Sequence, residues 1–122
     1  MGSVLLVGTG GALGAMGRYG LSLLPWRGEF PLLTLLTNLL GAVLIGFIAG
    51  LAGRGRLNPS AALFWKTGVC GGFTTFSAFS LEAVQLFEKG RHLAGSLYIL
   101  LSLLLCLAGV LAGQELSRLF AK

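Results

Sequence analysis

The chain is short of charge. Nine Lys and Arg and four Asp and Glu make up 11% of its 122 residues, about half the share that a soluble domain of this size carries. With 55% hydrophobic residues and a mean hydropathy of +0.87, that deficit excludes an ordinary soluble fold and places the chain in a membrane. The basic excess of five charges is scattered singly or in pairs, so no basic aromatic surface of the kind that binds nucleic acid is present. Two cysteines and one histidine exclude a disulfide framework and offer no cluster with metal-ligand spacing. His92 stands in a connector beside Arg91 and reads as a solvated boundary residue. No nucleophile has an oriented base, and "GTGGALG" departs from the dinucleotide fingerprint because Leu13 holds its third glycine position. The sequence is not that of an enzyme.

What the chain does have is long apolar runs. A membrane-crossing helix needs about 20 mostly apolar residues, and four stretches qualify: Ser3–Leu24, Pro31–Gly53, Ala61–Phe87 and His92–Phe120. They define one all-α membrane domain over residues 1–122. The connectors "PWRGEF", "RGRLNP" and "EKGRH" carry most of the charge. No basic flank precedes the first run and three more follow it, so it is expected to be retained rather than cleaved. Glycines four residues apart, Gly10/Gly14, Gly46/Gly50, Gly68/Gly72 and Gly109/Gly113, put a small-residue stripe on every span and predict close helix packing.

Orientation is nearly balanced. Four spans place Arg54, Arg56, Arg118, Lys122 and, at its margin, Lys66 on one side, against Arg27, Lys89 and Arg91 on the other. The positive-inside rule needs a clear excess to fix topology. On charge alone, one marginally favoured orientation and insertion both ways round, with pairing of inverted copies, are equally open.

Polar groups inside the spans ask for reasons, because each is costly in lipid. Arg18 either snorkels to an interface or supplies a fixed positive charge at the mouth of an anion pathway. Thr34 and Asn38 share one face of the second span. In the fourth, Tyr98, Ser102 and Cys106 fall at i, i+4 and i+8, a polar line on a leucine-rich helix that suits a pathway lining. Glu82 is the most deeply placed acid, either an ion-pair partner for Arg18 or Lys66 or an acceptor at a pathway end.

The third span is interrupted by "GVCGGFTTFSAFS", residues 68–80. Its three glycines make a helix break inexpensive, and Thr74, Thr75 and Ser77 can satisfy the freed backbone. Such a break exposes carbonyls that suit a cation and a half-helix N-terminus that suits an anion. Beyond it, Phe76 and Phe79 share a face. A phenyl ring has a positive edge, so two edges turned inward can support a small anion.

Together, "GGALGAMGRYG", "TLLTNLLGAVLIGF" and "GVCGGFTTFSAFS", in that order on four spans, resemble the CrcB/Fluc family of fluoride channels over essentially the whole chain. The resemblance implies a dual-topology antiparallel homodimer in the bacterial inner (plasma) membrane. It would conduct fluoride passively through two pathways, exclude chloride and protect the cell against fluoride. It also implies a central sodium ion held by backbone carbonyls, for which Gly71 and Thr74 match the family positions. Phe76 and Phe79 resemble the family's paired phenylalanines and Asn38 the asparagine of its "TN" motif. Arg18 resembles the arginine near the vestibule, and Thr75, Tyr98, Ser102 and Glu82 the polar track. Cys106 departs from the serine or threonine usual there, and a thiol is a weaker donor than a hydroxyl.

Two other classes fit less well. A small multidrug transporter shares the size and topology but needs a carboxylate in its first span, where this chain has Arg18 and no acid. A glycine-packed scaffold explains the small residues but not the polar line of the fourth span.

Overall fold

A computed structural model describes residues 1–121. Among them the secondary structure is entirely helical. Helix α1 is Gly2–Ser22 and α2 is Leu32–Gly53. The third span has two halves. The first, α3, covers residues 59–73 as one helical rod: a short α-turn Pro59–Ala62, a π-helical stretch Leu63–Cys70 and a final α-turn Gly71–Phe73. The second half, α4, is Phe76–Glu88, and the last helix, α5, is His92–Phe120. Helices α2 and α5 are each long and apolar enough to cross a membrane in one piece. At 21 residues, α1 reaches about 30 Å at 1.5 Å per residue, enough to cross although its glycines and Arg18 dilute its hydropathy.

The helices cover the four apolar runs to within a few residues, and one boundary difference has a clear cause. The third begins earlier than its apolar run because Asn58 caps it: Asn58 Oδ1 accepts the Ala61 N–H at 2.8 Å, and Pro59 fills the first turn, where its missing N–H is no loss. Two glycines end helices in the left-handed region, Gly55 (φ +72°) after α2 and Gly90 (φ +75°) after α4, conformations that other residues avoid.

The helices pack as two pairs joined by the broken span: α1 lies along α3, α2 lies along α5, and α4 crosses onto α5. The glycine stripes form these interfaces within the chain. A Cβ on Gly10 would come within 3.0 Å of Gly68 Cα, and one on Gly14 within 2.7 Å of the Phe73 amide nitrogen. One on Gly72 would overlap the backbone of Gly11. On the other pair, Gly46 and Gly50 meet Val110 and Ser117 of α5, while Gly109 and Gly113 meet Leu39, Ala42, Val43 and Phe47 of α2. Backbone thus lies directly on backbone, as membrane helices do where side chains are smallest.

The break itself corrects the expectation that glycine makes it. Gly71 is ordinary α-helix (φ −62°, ψ −37°), whereas Thr74 (φ −89°, ψ 154°) and Thr75 (φ −148°, ψ 114°) are extended. Gly68 and Gly72 serve close packing, and the two threonines carry the interruption.

Gly14→Ala is expected to lower the midpoint of thermal unfolding in detergent, because its methyl meets the rigid backbone of Val69 and Phe73; overpacking of this kind costs about 1–3 kcal/mol. Gly20→Ala, in the same helix with nothing within 4 Å, is the control and should be neutral or slightly stabilising. Equal midpoints for both variants would remove the packing argument.

Candidate functional site at the helix break

The extended pair Thr74–Thr75 leaves backbone groups that need partners inside a span. Asn38 of α2 supplies two at once. Its Oδ1 accepts the Thr75 N–H at 2.8 Å and its Nδ2 donates to the Thr75 carbonyl at 3.2 Å. The threonines complete the repair. Thr74 donates its hydroxyl to the Cys70 carbonyl at 2.8 Å, and Thr75 Oγ1 caps α4 by accepting the Ala78 N–H at 3.1 Å.

These bonds decide which carbonyls are released. In a continuous helix, the Gly71 and Thr74 carbonyls would accept from the N–H groups of residues 75 and 78. Both donors are committed elsewhere, to Asn38 Oδ1 and to Thr75 Oγ1. Between them, the Gly72 carbonyl accepts from Arg18 Nε at 3.2 Å. Gly71 is exposed, with open space where a side chain would stand. Gly71 and Thr74, the positions expected to face a cation, therefore carry carbonyl oxygens freed from the helix ladder. Neutral oxygen donors of this kind fit a hard, weakly charged cation.

Three cavities follow one another past this point. The first, a groove of about 350 Å³, is lined by Asn38, Thr74, Thr75, Phe76, Phe79 and Ser102, among others. A second, of about 400 Å³, shares Thr75 with the groove and adds Arg18, Thr34 and Thr37. The third, of about 300 Å³, shares Thr34 with the second and contains Glu82, together with Glu29 and Lys89 toward the connectors. Thr75 and Thr34 thus link the cavities in series, and the N-terminus of α4, with its partial positive charge, lies at the Thr75 junction.

Most of the expected residues come together here. Phe76 and Phe79 are adjacent, with ring centroids 5.5 Å apart at 46°. Phe79 is buried and continues to Tyr98 at 5.1 Å, whereas Phe76 is 76% exposed. Ser102 is buried in the groove wall, and its hydroxyl has no hydrogen-bond partner among the described residues. Tyr98 is fully buried. Its hydroxyl donates to Glu82 Oε1 at 3.3 Å, while the Thr34 hydroxyl donates to Glu82 Oε2 at 3.0 Å.

Glu82 is therefore held by two hydroxyls. The alternative of an ion pair with Arg18 or Lys66 is not realised: the ion pairs among the described residues are Arg91 with Glu29 and Arg118 with Glu115. Arg18 borders the second cavity while its Nε is spent on the backbone of α3.

Two lining residues went unnoticed in the sequence. Thr37, 3% exposed, sits three residues after Thr34 in "TLLTN", and that spacing was its available signal. Cys70 lines the groove from α3, and only its place beside the break hinted at it.

The chain is all-helical, with a broken third span and a series of small polar-edged cavities beside the break. The chain belongs to the CrcB-like family (CrcB-like protein, Camphor Resistance), whose profile matches residues 5–114. It is 47% identical over 121 residues to the "Fluoride-specific ion channel FluC" of Agrobacterium fabrum, covering 95% of this chain and 96% of that one. It is 44% identical to the protein of that name in Ruminiclostridium cellulolyticum, covering 98% and 95%. It is 46% identical to that of Rhizobium meliloti, covering 97% and 98%.

Asn38→Ala removes both bonds to Thr75, and Asn38→Asp keeps the acceptor but sets a carboxylate against the Thr75 carbonyl. Each is expected to destabilise the fold by about 1–3 kcal/mol, the penalty for a buried backbone group left unpaired. Thermal unfolding in detergent checks this, and wild-type midpoints in both variants would show that the break does not depend on Asn38.

Proposed function

We propose that the chain is a fluoride-selective passive channel of the cell membrane that lets cytoplasmic fluoride out and so protects against its toxicity. The observation that carries this reading is the arrangement at the break. An unpartnered Ser102 hydroxyl, the free second hydrogen of Asn38 Nδ2, a half-helix N-terminus and two phenylalanines lie along one groove. Each can turn a partial positive charge toward an anion, and none carries a full charge. Fluoride is small and strongly hydrated, so a selective path must replace its water with N–H, O–H and positive ring edges. The relatives named as fluoride-specific channels support the same assignment. No reaction is needed, and the protein is a channel and not an enzyme.

Passive flow suits the protective role. Hydrogen fluoride crosses membranes as a neutral acid and releases the anion in a neutral cytoplasm. The negative interior then drives the anion outward.

The finer organisation belongs to the same proposal. Two chains pair in opposite orientations, as the balanced Lys and Arg count permits, and each groove is completed by the other chain. The strongly exposed Phe76 and the open face of Gly71 are the surfaces that such a partner would cover. Anion pathways run past Asn38, Thr75, Phe76, Phe79 and Ser102, with Tyr98, Glu82 and Arg18 along the same track. A sodium ion joins the two breaks through the carbonyls of Gly71 and Thr74. A divalent cation that prefers six or more oxygens and charged ligands is a poorer match for four neutral carbonyls. The ion supplies a fixed positive charge and a bond between chains.

Protein reconstituted into liposomes is expected to discharge a fluoride gradient, read with a fluoride electrode, and to leave a chloride gradient largely intact. Equal halide fluxes would sink selectivity, and no flux would favour a scaffold. Phe76→Ile keeps apolar bulk but removes the ring edge, and should cut fluoride flux at least about tenfold with the protein still folded; undiminished flux would make Phe76 a lipid-facing residue only.

An experimental structure of the purified protein at high resolution is expected to contain two inverted copies with one density peak among the Gly71 and Thr74 carbonyls. Parallel copies would overturn the dual topology. An empty centre, with these carbonyls turned apart, would overturn the ion.

A further inference from the structure

Asn38 holds Thr75, one residue of the break, and the same face of α2 also receives the other. Gly41 stands one turn beyond Asn38 and is buried. A Cβ on Gly41 would overlap the Thr74 methyl and come within 3.3 Å of the Phe73 ring. Gly41 thus faces side chains of the third span, and both it and Thr74 line the groove. Thr74 is itself held by a single acceptor. The Cys70 carbonyl takes its N–H at 3.0 Å and its hydroxyl at 2.8 Å.

The hydroxyl bond locks the Thr74 side chain. A threonine has three staggered positions about its Cα–Cβ bond, and the one adopted sets the hydroxyl on Cys70 and the methyl on Gly41. Of the other two, one puts the hydroxyl where the methyl stands. The remaining one drives the methyl against the Cys70 carbonyl. Turning Thr74 therefore makes no room for a side chain at position 41, and the residue has to move bodily, with its carbonyl. We propose that Gly41 is a positioning residue for the cation: its bare face seats Thr74, and this seat aims the Thr74 carbonyl at the ion between the chains.

The aim at an ion rests on the sodium reading of the break, whereas the seat does not, and the two are measured separately. Thr74→Ser removes the methyl and keeps the hydroxyl, so it is the background in which Gly41 ceases to matter. Purified wild type, Gly41→Ala, Thr74→Ser, the double variant and Gly53→Ala are unfolded by heat in detergent across a sodium series, with choline holding ionic strength constant. The wild-type midpoint is expected to rise with sodium, because an ion bound to the folded state alone stabilises it. Gly41→Ala should lower the midpoint by roughly 4 °C or more and need at least about tenfold more sodium for the same rise. With Thr74→Ser as the parent, Gly41→Ala should change the sodium requirement by no more than about twofold, since the contact that couples the two positions is gone. Gly53→Ala, in the same helix with nothing within 4 Å, should keep the wild-type requirement.

Equal losses from Gly41→Ala in both backgrounds would overturn the seat. A lower midpoint with an unchanged sodium requirement would reduce Gly41 to a packing residue. A wild-type midpoint indifferent to sodium would overturn the central ion and the positioning role with it, while the comparison of midpoints in the two backgrounds still decides the seat. If Gly41→Ala does not fold, a folded double variant upholds the seat, and failure of both variants overturns it.

Discussion

Two hydrogen bonds between the Asn38 amide and the Thr75 backbone hold the third span open in its middle. An extended pair of residues within a membrane helix strands several peptide groups away from water, a state that persists only when each finds a partner. Asn38 is suited to the task because its amide offers a donor and an acceptor side by side, matching the N–H and C=O that flank the Cα of one extended residue. Everything at the site follows from that match. The carbonyls of Gly71 and Thr74 are released, the N-terminus of α4 is created, and Phe76 and Phe79 begin a new helix in a phase of their own. Remove the amide and the span has every reason to close into a continuous rod.

Around this open segment the fold uses two kinds of contact that divide the work. Glycine-to-backbone contacts bind α1 to α3 and α2 to α5. Hydrogen bonds from α1 and α2 then set the segment between them. Arg18 reaches the Gly72 carbonyl, Asn38 reaches Thr75, and Thr34 reaches Glu82. The aromatic sequence Phe76, Phe79, Tyr98 and Phe30, each ring in contact with the next, carries α4 onto α5. Tight packing thus fixes positions, and a small number of polar bonds fix what faces the groove.

Much of this was legible before any coordinates. Apolar run lengths gave the spans, because a bilayer imposes a length on any helix that crosses it, and glycine spacing gave the close-packed faces. The break falls within "GGFTT", but the extended threonines make it and not the glycines. Glycine serves both helix breaks and helix contacts, and only the three-dimensional neighbours Gly10 and Gly11 show that Gly68 and Gly72 are taken by contact. Glu82 was hard to assign for a related reason. A buried acid can be satisfied by charge or by hydroxyls, and nothing in sequence order brings Thr34, Glu82 and Tyr98 to one place. The π-helical stretch left no trace in the pattern, since an apolar segment with this composition reads the same in either helical form.

That stretch, Leu63–Cys70, has a geometric consequence. Its i→i+5 bonding takes up more residues per turn than an α-helix does, so the chain after it is rotated about the helix axis relative to an uninterrupted α-helix. From within this stretch and the turn that follows it, Gly68 and Gly72 reach α1 and Cys70 reaches the groove. The wide turns therefore act as a register offset built into the sequence. They let one span present a close-packing face toward its neighbour and a polar, opened face toward the groove, two demands that a single regular periodicity would set in conflict.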